Sequence, residues 1–184
     1  MHEITYGSLG YMAQQGRSIA ESFLSVDAII ALDISSSMLV ADCQNNQSRY
    51  DTAVGELRRL QRQIPGKVAV IEWACGHAFV PGGVPSPPYG TTNMTGALDF
   101  IHQADDCGIK LILISDGEPD NQITALDSAR RFKSQIDTIY IGPEGGQGAD
   151  FLRRLSALTG GQAVTNSTRD IVNLSQDVTK LLNA

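Results

Sequence analysis

Six short apolar segments alternate with stretches whose apolar residues recur every three or four positions, and this alternation constrains the chain more than anything else in it. Val26–Asp33 is an apolar run ending in a carboxylate, the mark of a buried strand. Lys67–Trp73, His77–Val80, Lys110–Ser115, Ile136–Ile141 and Gln162–Val164 read as the other strands, with Lys110–Ser115 too apolar for a sheet edge. Between them, Tyr50, Ala53, Val54, Leu57, Leu60 and Ile64 lie at helical spacing, and Pro65-Gly66 stops that helix. Met94, Ala97, Leu98, Ile101 and Ala104 mark a second helix; others run over Ile123–Phe132, Phe151–Leu158 and Arg169–Leu182, the last with Ile171, Leu174, Val178 and Leu181 inward. Alternating strands and helices predict an α/β fold: a doubly wound, Rossmann-like, mostly parallel sheet with helices on both faces. One domain over 26–184 is expected, with a lead-in over 1–25 packed on it and a short helix from Arg17 to Leu24.

Composition narrows the class. Of 184 residues, 42% are hydrophobic and 18% charged, which fits a globular core and argues against disorder. Fourteen basic against twenty acidic residues leave a net charge of −6, with no electrostatic footprint for nucleic acid or an anionic membrane. No apolar run approaches the roughly 18 residues of a membrane span, and the first residues do not read as a signal peptide. Cys43, Cys75 and Cys107 are odd in number and far apart, a poor disulfide framework. A cytoplasmic protein is the expectation. Two segments resist regular structure: Pro81–Gly90, with four prolines and three glycines, and the glycine-rich Gly142–Gly148.

In open parallel sheets ligands bind beyond the carboxyl ends of the strands, where strand order reverses. There the chain reads Asp33-Ile-Ser35-Ser-Ser37 after the first strand, Gly90-Thr91-Thr92-Asn93 before a helix, and Ser115-Asp116-Gly117 after the fourth. Two carboxylates and three hydroxyls make an all-oxygen set suited to a hard divalent cation, whereas histidine or thiolate would point to zinc. The competing reading of Asp-x-Ser-x-Ser is a helix cap.

Asp33-x-Ser35-x-Ser37, Thr92 in Gly-Thr-Thr-Asn and Asp116 in Ile-Ser-Asp-Gly together resemble the metal-ion-dependent adhesion site of von Willebrand factor A domains. The similarity covers about residues 26–182 and includes Leu152–Gly161. It implies strand order 3-2-1-4-5-6 with an antiparallel third strand at one edge. It further implies Mg2+, with Mn2+ or Ca2+ as substitutes, held by Ser35, Ser37 and Thr92 directly or nearly so, and by Asp33 and Asp116 often through water. A cation held mainly by neutral hydroxyls stays short of negative charge and takes a carboxylate from a partner protein. Intracellular stand-alone members of the family often serve as adaptors for AAA+ ATPases or within complexes, and the last helix can shift when the ligand binds. Ser36 and Thr91 stand where the family often has glycine; Thr92, directly before Asn93, is the favoured metal-side threonine.

Other readings compete for individual residues. Cys75 and His77 could join Cys43 or Cys107 around zinc, though the spacings match no zinc motif. Arg58, Arg59 and Arg62, with Arg49 nearby, are read as a solvated helix face rather than an anion site. Trp73 is assigned to the core. Asp42, Glu118 and Asp120 add negative charge beside the proposed metal, and Tyr89 and Glu118 are candidate partner contacts. A metal-dependent phosphoryl-transfer hydrolase using Asp33 is the alternative function. Its usual general acid two residues on is here Ser35, which cannot serve at neutral pH. Neither a Gly-x-Ser-x-Gly elbow nor a phosphate-binding glycine loop is present. A non-enzymatic interaction module is therefore expected, with no nucleic-acid or membrane partner.

Overall fold

The computed structural model describes residues 3–167 and 173–183. Six strands form one sheet: β1 (Ala28–Asp33), β2 (Val68–Trp73), β3 (His77–Phe79), β4 (Lys110–Ser115), β5 (Ile136–Gly142) and β6 (Ala163–Ser167). Their order is β3-β2-β1-β4-β5-β6. All neighbours are parallel except β2 and β3, which pair antiparallel through Trp73–His77 and Ile71–Phe79. The reversal therefore falls between β1 and β4, as the strand order implied by the resemblance requires.

Every residue of β1 and β2 is buried, because the sheet is covered on both faces. Alternate side chains sort into two cores. Ile29, Ala31, Ile71, Trp73, Leu111 and Leu113 pack under α4 (Met94–Ile101), α5 (Gln122–Ala129) and α6 (Gln147–Thr159). Ile30, Leu32, Val68, Val70, Ile112 and Ile114 face α3 (Arg49–Gln63) and α7 (Leu174–Leu182). Trp73 is fully buried, as assigned. Leu174, Val178 and Leu181 do point inward, while Ile171 and the expected start of the last helix at Arg169 lie outside the described residues.

Caps set the helix boundaries. Ser48 accepts from the Asp51 amide at the start of α3, Asn93 from Gly96 at α4, and Asn121 from Ile123 and Thr124 at α5. The expected Phe151 start of α6 is too late: the helix begins at Gln147, inside the segment read as a flexible loop. Gly148 explains this. Its backbone lies against the Asp116 carbonyl so closely that any Cβ there would overlap it. The helix can enter at that point only with a glycine.

The lead-in carries α1 (Leu9–Gln14), which periodicity did not reveal, and α2 (Ile19–Phe23), within the expected Arg17–Leu24. Leu9 reaches the first core, and Thr5 N and Gly10 N donate to Gly82 O and Pro81 O at 3.0 and 2.6 Å. Among the described residues no helix is long and apolar enough to cross a membrane.

Candidate functional site

Three loops meet at the carboxyl edge of β1 and β4, and hydrogen bonds tie them together. After β1 the chain turns through a short 3-10 segment, Ser36–Leu39, with Ser35 in the capping position. The Ser35 hydroxyl does not cap it; instead Ser35 Oγ lies 3.0 Å from Ser37 Oγ. The helix-cap reading of Asp-x-Ser-x-Ser is therefore incorrect for Ser35. Its hydroxyl lies in the buried floor of the turn, beside that of the exposed Ser37.

Asp33 is 0% exposed. Its Oδ1 accepts from Ser35 N at 2.7 Å and its Oδ2 from Ser115 Oγ at 2.6 Å; Ser115 Oγ in turn accepts from Gly117 N at 2.9 Å. Burial first, then the negative field of Asp116, push its carboxyl from the ordinary 3.8 up to about 7, against the pull of the Ser115 and Ser35 hydrogen bonds. Asp116, 7% exposed, is less well served. Its Oδ2 accepts from Arg49 Nη1 at 3.3 Å, and its Oδ1 is buried with no hydrogen-bond partner. A buried, unpaired carboxylate oxygen is costly and calls for a ligand.

The third loop is locked to both others. Ser36 N and Oγ donate to Gly90 O at 3.2 and 2.9 Å, and Tyr89 N donates to Ile34 O at 2.8 Å. On the other side Asp120 accepts from Thr91 Oγ1 at 2.7 Å and from Thr92 N at 3.0 Å. Thr91 is thus exposed and engaged, whereas Thr92 is 9% exposed, and no hydrogen bond to its hydroxyl is formed among the described residues. Tyr89, 46% exposed, and the exposed Glu118 stand on the rim.

Two expectations need correction. Arg49 is not part of a solvated face: it is 8% exposed, with Nε and Nη2 on Asp42 at 3.0 and 2.6 Å and Nη1 on Asp116. Asp42 is accordingly an ion-pair partner rather than free negative charge, and Asp120 is a loop clamp. The zinc alternative does not assemble either. Cys43 is buried, the His77 ring stacks 4.6 Å from that of Phe100, and no group of three His, Cys, Asp or Glu gathers around a point among the described residues.

Sequence reasoning passed over Arg49, Ser115 and the clamping role of Asp120. Arg49 carried a signal: a cation in the first turn of a helix opposes the helix dipole, so acids must hold it there. Ser115 had only its place before Asp116.

The donor chemistry fits a hard divalent cation. An unpaired buried carboxylate oxygen, the adjacent Ser35 and Ser37 hydroxyls and the Thr92 hydroxyl lie on loops braced against one another, and all the donors are oxygen. No family model matches the chain, and no curated protein matches it. Among solved structures it is similar to the von Willebrand factor type A protein from Catenulispora acidiphila, with a TM-score of 0.63 and 18% identity over 86% of this chain. This is a von Willebrand factor A-like fold. The chain covers 42% of that protein's length. It is also aligned with the Deinococcus radiodurans RO (RSR) protein, at a TM-score of 0.44 and 16% identity, over 84% of this chain and 35% of that one. The von Willebrand factor A-like frame accounts for the strand order and for the convergence of the three loops at the reversal point.

Proposed function

We propose that this von Willebrand factor A-like chain is a non-enzymatic, divalent-metal-dependent protein-interaction module. Asp33, Ser35, Ser37, Thr92 and Asp116 would hold Mg2+, with Mn2+ or Ca2+ able to replace it, and an exposed Asp or Glu of a partner protein would complete the coordination. The observation that carries this reading is the orphaned Oδ1 of Asp116, buried and lacking a donor. The cation would supply a positive centre that a carboxylate can reach. The protein's own part is to fix the donors before binding, through the Asp33–Ser115 and Ser36–Gly90 bonds, so that little order is lost on association. A cytoplasmic adaptor within a complex, such as one serving an AAA+ ATPase, is the role this chemistry suits.

The alternative, phosphoryl transfer to Asp33, has less support. Both oxygens of that carboxylate are engaged and the residue is fully buried, so neither faces a substrate.

Two measurements test the reading together. Magnesium should raise the melting temperature of the wild-type chain, and Asp33→Ala or Ser35→Ala should remove that rise. A partner captured from native lysate should be lost on adding EDTA. Equal capture with magnesium and with EDTA defeats the adhesion mechanism. Metal-dependent phosphate release from a model ester, lost in Asp33→Asn, moves the assignment to the hydrolase.

A further inference from the structure

Arg49 is the first residue of α3, and the Ser48 cap and the Val40 carbonyl, which accepts from Arg49 N at 3.1 Å, aim the start of the helix at the site. A buried guanidinium is costly unless acids hold it. It is divided unequally between two of them. Asp42 accepts from Nε and Nη2, while Asp116 accepts from Nη1 alone at 3.3 Å, through Oδ2. Among the described residues no other Lys or Arg pairs with Asp33, Asp42 or Asp116.

We propose that Arg49 is a built-in competing cation that sets how tightly the site holds its metal. This rests on the metal-site reading above and deepens it. Asp116 presents one oxygen to Arg49 and keeps the other, so the incoming metal meets a carboxylate whose charge is already partly spent. With a divalent cation bound, the two carboxylates that Arg49 bridges, Asp42 and Asp116, face three positive charges, one of them from Arg49. Without Arg49 those two carboxylates would balance the cation's charge, so the site would bind metal more tightly and attract a partner's carboxylate less. Arg49 thus trades metal affinity for an acid-accepting site. Asp42 sets the exchange: by drawing the guanidinium toward itself, it limits how much of the positive charge falls on Asp116.

Two variants separate this from a merely structural role, because they move metal affinity in opposite directions. Mn2+ is titrated calorimetrically into the full chain, with folding checked by circular dichroism. Arg49→Gln is expected to lower the dissociation constant at least tenfold. Asp42→Asn leaves the guanidinium to Asp116 and is expected to raise it several-fold. If Arg49→Gln binds Mn2+ equally or more weakly, Arg49 only braces the loops and the proposal fails. Should Arg49→Gln not fold, Asp42→Asn decides alone: weaker binding supports the proposal, and unchanged or tighter binding overturns it. If neither the wild-type chain nor a folded variant binds Mn2+, the metal reading itself falls and takes this inference with it.

Discussion

The two edges of the sheet both bury carboxylates, but they treat them in opposite ways. At the amino edge, Asp105 sits ahead of β4 and accepts from the amides of Lys133 and Ser134, both at 2.8 Å, while its own carbonyl accepts from Ser134 Oγ. Burial raises its pKa, but those two backbone donors, with the Ser134 hydroxyl and the nearby His102, together hold the group below its ordinary value. At the carboxyl edge, Asp33 has one backbone donor and one hydroxyl, and Asp116 has a single long ion-pair contact and an empty oxygen. The amino edge uses its acid to join two connections. The carboxyl edge leaves Asp116 short of donors, which is the arrangement expected where a ligand supplies the remainder.

The largest test of that contrast is Asp105→Ala. It removes the acceptor of two half-buried amides and should cost about 3 kcal/mol in urea unfolding, at roughly 1.5 kcal/mol per hydrogen bond to a charged group. Any Mg2+-dependent gain in melting temperature should survive it unchanged. Loss of that gain would mean the two edges are not separable.

A smaller effect, opposite in sign, is expected at Asp33. Its carboxyl titrates at about 7 in the folded chain against an ordinary 3.8, so the folded state keeps a proton that the unfolded chain has released. Stability contributed by this group is therefore present at low pH and declines as pH rises from about 4 to about 7. Asp105 runs the other way: its contribution is present above the ordinary 3.8 and is lost as pH falls through its lower folded value. Without divalent cations, Asp33→Asn should be more stable than the wild type by about 2 kcal/mol at pH 8, with the gap closing toward pH 4. A gap independent of pH would remove the claim that an ionised Asp33 is held at a cost.

The smallest effect sharpens the comparison at the rim. Tyr89 is tied to the site through its backbone amide and exposes its ring, so Tyr89→Ala should change stability by no more than about 0.5 kcal/mol. Magnesium-dependent partner capture should nevertheless fall. Unaltered capture would make Tyr89 a bystander and leave the metal shell as the sole contact.

The layering was legible because it depends on periodicity, a property repeated many times along the chain. The bounds of β4 agree with the expected Lys110–Ser115 to the residue, since a run this apolar can be accommodated only in the middle of the sheet. The early start of α6 was hidden because Gly-Gln-Gly lacks a capping side chain; a steric need at Asp116, distant in sequence, decides it. At the site, Asp33, Ser35, Ser37, Thr92 and Asp116 could be picked out because each closes or follows a recognisable element. Arg49 was obscured by the arginines that follow it on the same helix. Its separation from them appears only once Asp42 and Asp116 are known to flank it.

Helix α3 touches this neighbourhood in more places than the metal site requires. Over 15 residues it presents Arg49 to Asp116, the Tyr50 hydroxyl to the Pro85 carbonyl, Glu56 to Ser175 at the head of α7, and the Gln61 amide to the Gly83 carbonyl. A slide of that helix by one turn would break all four attachments together. This flank of the molecule is therefore stiff, like a spar pinned along its length. Whatever give the rim retains belongs to the opposite side, in the turn from Glu118 to Asp120, which clasps the threonine loop through one carboxylate and a backbone amide.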